Sequence, residues 1–92
     1  MNNARRKAIR AIIKRIKAGN RDWESIESDL TDIMDEETDA MENIPESLQD
    51  TERYYTCEES VGYLDDAIGC IDPDDEDAAE NVVKALSMID GV

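Results

Sequence analysis

At 92 residues, the chain has the length of one small domain, with room for a modest core. Its apolar set includes four Leu, four Val, nine Ala, one Trp and no Phe, which suits slim seams between helices better than a thick globular centre. The formal net charge of −14 argues against simple binding to nucleic acid or an anionic membrane, and the absence of His removes Cys/His metal sites and Ser/His or Cys/His nucleophile pairs.

The first element begins with ARRKAIRAIIKRIKAGNR, residues 4–21, which holds eight of the ten basic residues and no carboxylate. The rest of the chain sets all 24 carboxylates against Arg53 and Lys84 alone. Ile9, Ile12, Ile13 and Ile16 recur at helical spacing, and the same stripe resumes at Trp23, Ile26, Leu30, Ile33, Met34, Ala40 and Ile44. In heptads, positions 9, 16, 23, 30, 37 and 44 form one column and 12, 19, 26, 33 and 40 the other, with only Gly19 and Glu37 breaking the apolar pattern. The unshifted phase predicts one continuous helix over residues 4–43, about 60 Å long. Gly19-Asn20 is its weak point, the alternative being a C-cap there with Asp22 capping a new helix.

Three roles are open to the basic segment, one of them contact with a protein ligand. Its cations can pair with the acids of an antiparallel helix, residues 5–17 facing 32–42, either of a second chain or of later helices of the same chain. Alternatively Arg5, Arg6 and Arg10 hold a phosphate while Tyr54 or Tyr55 stacks on a base. If the basic half projects from the fold, its Ile stripe needs a second copy to bury it, so a homo-oligomer is expected.

The second half of this long pattern is acidic. Asp29, Asp32, Asp35, Glu36, Asp39 and Glu42 recur at three and four residues, a row of carboxylates about 5–6 Å apart suited to a basic protein surface. ESIE (24–27) and EETD (36–39) resemble the paired carboxylates of all-α nucleotide pyrophosphohydrolases. Both pairs lie on one helix here, however, and cannot converge on a metal from opposite sides.

ENIPES then ends the pattern, because Pro45 removes a backbone donor and disfavours a helical Ile44. A second helix is predicted over 46–71, with Tyr54, Cys57, Val61, Leu64, Ile68 and Ile71 at a/d spacing. Cys57 and Cys70 share this helix, roughly 20 Å apart at 1.5 Å per residue, too far to bridge. DPDDEDAAENVV lacks the Gly and Glu of a calcium loop, with Asp77 and Val83 in those places, and reads instead as a capped helix start at Asp72 and Pro73. The third helix is predicted over 73–90, with Ala79, Val82, Leu86 and Ile89 as its seam. No apolar run is long enough for a membrane span and no signal peptide is read, so a cytoplasmic protein is expected.

Two stretches carry a resemblance, MNNARRKAI at the start and MENIPESLQDTERY at the turn. Over residues 1–71 the chain resembles small acidic helical proteins of phages and integrative elements in Firmicutes, which share an MNxARRK start and an NxPESLQ turn. The resemblance implies a mobile-element origin and a helical hairpin, and it makes Asn43, Pro45, Glu46, Ser47, Leu48 and Gln49 a shared turn. It carries no catalytic residue. The combined expectation is an all-α hairpin or small bundle, non-enzymatic, with no cofactor and no metal. Its partner is expected to be a host protein with a basic surface, as for a counter-defence inhibitor. The alternatives are a sponge for a phosphorylated nucleotide and a structural coiled coil.

Overall fold

The computed structural model describes residues 2–48 and 51–91, and among these it contains helices and no strands. Four α-helices run Asn3–Lys17 (α1), Trp23–Glu42 (α2), Glu52–Gly69 (α3) and Ala78–Ser87 (α4), with short 3-10 turns at Glu46–Leu48 and Met88–Gly91. The all-α bundle expected from the apolar periodicity is the observed architecture.

The long helix is not continuous. It breaks where the alternative reading placed a cap, so the expected 4–43 helix is corrected to two antiparallel helices. Gly19 takes φ +103°, and it alone among the described residues has a positive φ. Its amide donates to the Ile16 carbonyl and that of Asn20 to the Arg15 carbonyl, each at 3.1 Å, which is the Schellman pattern closing α1. Asp22 then caps α2 by accepting from the Ser25 amide at 3.3 Å. The Arg21 guanidinium donates to the Ile16 and Asn20 carbonyls at 2.8 and 2.9 Å and lies 6.0 Å from the Trp23 ring centre. Local capping outweighs periodicity here because a stripe with the right phase is equally satisfied by folding back on itself.

α1 packs against α2 and α4, α2 against α3, and α3 against α4, so the four helices close a ring. The contacts of Arg5 with Glu37 and of Arg6 with the Ile89 carbonyl run α1 antiparallel to both its neighbours. Ile9, Ile12, Ile16, Ile26, Leu30, Leu64, Val82, Leu86 and Ile89 form the centre of the core. The Ile stripe of α1 is therefore covered within one chain and needs no second copy to bury it.

The later helices are shorter than expected. Pro45 accepts from the Leu48 amide at 2.7 Å in the 3-10 turn, and α3 starts at Glu52 rather than 46. Its buried line is Cys57, Ser60, Leu64 and Ala67, so the expected Val61 and Ile68 sit only partly buried at its flank. Ser60 is tolerated in that line because its hydroxyl donates to the Thr56 carbonyl at 3.0 Å. Asp72 does not cap a helix. Its carboxylate accepts from the Asp74 amide at 3.0 Å in a turn, Asp75 does the same for Asp77 at 2.9 Å, and α4 begins at Ala78. Short Asx turns that satisfy these carboxylates and amides locally compete with a helix start at Asp72. The α4 seam is close to expectation, with Ala78, Val82, Leu86 and Ile89 buried and Ala79 only in part. Of the shared turn residues, Gln49 lies outside the described residues.

Candidate functional site

Two places concentrate charge. The first is at the base of the bundle, where Glu37, the residue that breaks the heptad pattern, is 0% exposed. Its Oε2 accepts from Arg5 Nε at 2.8 Å, and the Arg5 side chain is 16% exposed. The Cys57 thiol on α3 lies beside the Glu37 side chain, and burial together with the neighbouring Glu37 carboxylate raises its pKa from the ordinary 9.0. These three groups tie the start of α1, the end of α2 and the start of α3 together. Beside them an open cleft of about 400 Å³ is lined by Asn2, Arg5, Ala40, Glu52, Arg53, Thr56 and Cys57.

Arg5 is therefore beside a carboxylate, as the antiparallel charge pairing requires, and the partner is the same chain's second helix. A second pair, Arg15 Nη1 to Asp29 Oδ2 at 2.7 Å, is partly exposed and marks the same register near the turn. Arg6 donates to the Ile89 carbonyl at 3.3 Å. Of the residues expected to hold a phosphate and a base, the cleft at Arg5 has neither Arg6, Arg10, Tyr54 nor Tyr55 in its walls. The Tyr54 and Tyr55 rings instead meet edge to face at 6.0 Å.

The buried thiol gives a direct test. Cys57 is 5% exposed and Cys70, at the end of α3, is partly exposed; both are free. Cys70 is expected to react with an aromatic disulfide reagent in the native protein, and Cys57 only on unfolding. A raised pKa in the fold means that the neutral thiol stabilises the protein below about pH 9 and that this contribution is lost as the pH rises through the folded value. Thermal melts above pH 9 are expected to fall more steeply for the wild type than for Cys57→Ser, which lacks the ionisation.

The second charged place is the outer face of α2. Asp32, Asp35, Glu36, Asp39 and Glu42 are exposed, while Asp29 is partly covered by Arg15. The reason is the same periodicity that buries Ile26, Leu30, Ile33 and Glu37 on the opposite side. Small residues on α1 leave a groove of about 350 Å³ against this face, with Ala8, Ala11, Ile12 and Ile33 beneath and Asp29, Asp32 and Glu36 along the rim opposite Arg15. Glu24, Glu27, Glu36 and Asp39 all lie on α2, so the paired carboxylates do not face each other across two helices. Among the described residues no three His, Cys, Asp or Glu side chains form a group that could hold a metal ion, and no helix is long and apolar enough to cross a membrane.

The sequence reading missed Glu37 as a structural centre. The available signal was a lone acid in an apolar column, which requires a cation if it is buried. The fold and these contacts define the molecule as an antiparallel four-helix bundle with an ion pair in its core and an acidic outer helix. No protein-family model, curated protein or solved structure matches the sequence.

Proposed function

We propose that the chain is a non-enzymatic binding protein of a phage or mobile element, a counter-defence inhibitor whose acidic α2 face occupies a basic surface of a host defence or nucleic-acid-binding protein. The observation that carries this reading is the exposed row Asp32, Asp35, Glu36, Asp39 and Glu42 on one rigid helix. A row of carboxylates one helical turn apart imitates the regular negative charge of a nucleic-acid backbone. The groove beside it adds an apolar floor on which the stem of an incoming Lys or Arg can lie.

The test is capture of a host protein from lysate on the immobilised chain, followed by Kd measurement with the purified partner at two salt concentrations. Replacing Asp32, Asp35, Asp39 and Glu42 by their amides is expected to weaken binding by about tenfold or more, at ~0.2–1 kcal/mol for each exposed pair. The wild type is also expected to lose affinity as salt rises. An unchanged Kd in the amide variant defeats the reading. Small molecules carried through purification and released on denaturation, seen by mass analysis, would favour the nucleotide alternative instead.

A further inference from the structure

We infer that α1 is an exchangeable arm. With the turn at residues 18–22 straightened, α1 and α2 become one helix, and α1 docks in the groove between α2 and α4 of a second copy, giving a two-fold, domain-swapped dimer. This inference is independent of the partner proposed for the acidic face.

Three observations lead there. The first is phase. A hairpin of two helices places no demand on the heptad register across its turn, yet Ile9 and Ile16 of α1 and Trp23, Leu30 and Glu37 of α2 occupy one column. Seven residues of straight helix fall only about 20° short of two full turns. Straightening the turn therefore leaves the buried stripes of both helices on one side of a single rod.

The second is register. The ion pairs Arg5–Glu37 and Arg15–Asp29 are centred on residues 21 and 22, inside the turn. In two straight antiparallel rods with this register, a two-fold axis passes through the same residues. Each chain then gives its Arg5 to the other's Glu37 and receives the reciprocal contact, so every pair of the closed form is remade across the interface. The groove vacated by one arm is filled by a chemically identical arm with the same cations.

The third is the hinge. The turn depends on Gly19 at φ +103°, and a methyl group there would meet no atom within 4 Å. Substitution of Gly19 is thus opposed by backbone conformation alone and not by crowding. Gly19→Ala disfavours the closed turn and favours uninterrupted helix, both of which push toward exchange.

Light scattering across a concentration series of Gly19→Ala reads the first consequence. Dimerisation is expected to tighten by about a hundredfold relative to wild type, a factor of about ten from each of the two hinges. The second experiment identifies the dimer as swapped. Arg5→Glu and Glu37→Arg each place like charges at the buried pair when the chain closes on itself. Unfolded together in equal amounts and refolded, the two chains can restore opposite charges at both sites only by exchanging arms. A heterodimer melting near the wild type is the expected result. A Gly19→Ala protein that stays monomeric at millimolar concentration, or a refolded mixture that melts no higher than its two components, overturns the inference.

Discussion

Arg5→Ala is expected to destabilise the protein by about 3–5 kcal/mol, because it removes the cation from a fully buried carboxylate. For a domain of this size that corresponds to a melting point lower by roughly 12 °C or more. The reverse change, Glu37→Ala, is expected to cost less. The Arg5 side chain keeps 16% of its surface exposed and can swing its head into the adjoining cleft, whereas Glu37 at 0% cannot reach water. Replacing both partners by apolar residues, Arg5→Met with Glu37→Leu, is expected to be neutral or stabilising by about 1–4 kcal/mol, since the desolvation cost disappears with the charges. Urea melts of the two single variants and the double variant measure the coupling directly. An Arg5→Ala protein that melts with the wild type would show that the Glu37 carboxylate does not need this cation.

The combination Ile12→Asp, Ile16→Asp is expected to abolish folding. Ile16 is 1% and Ile12 4% exposed, both inside the core shared by α1, α2 and α4. An unpaired carboxylate at either position costs several kcal/mol, comparable with the ~5–15 kcal/mol total stability of a small domain. Far-UV circular dichroism and light scattering together make the check. Loss of helix is the expected outcome, while a helical, monodisperse protein would mean that these isoleucines face an interface rather than the interior. The same substitutions would have read out simple dissociation had the basic half projected as a free helix.

Much of the fold was legible because helical periodicity is a local property. The stripe at Ile9, Ile12, Ile16, Ile26, Leu30 and Ile33 was readable residue by residue, and each of these side chains is buried. The α4 seam at Val82, Leu86 and Ile89 was equally legible. Capping was less so. Asp72-Pro73 has the composition of a helix start, but the carboxylates of Asp72 and Asp75 close turns of their own and delay α4 to Ala78. On α3, Cys57 and Leu64 are buried as expected, whereas the positions alternating with them were read one residue off, because Ser60 and Ala67 carry no apolar signal strong enough to compete with Val61 and Ile68. Of the candidate site, the acidic row of α2 was readable as helical spacing, whereas the cleft at Arg5 and Arg53 joins residues far apart in the chain.

The amino-acid sequence by itself determined the helical class, the apolar stripes, the polarity of charge along the chain and the acidic face of α2, since each follows from residue type and spacing within a few turns. Tertiary structure alone decided where the long stripe folds. The spacing of the apolar residues is served equally by a continuous rod and by a hairpin, and the difference lies in what covers the stripe, not in the stripe. It also decided that Glu37 is an anchor. A carboxylate in an apolar column is a defect until Arg5 from one helix and Cys57 from another arrive beside it, and no local pattern records that meeting.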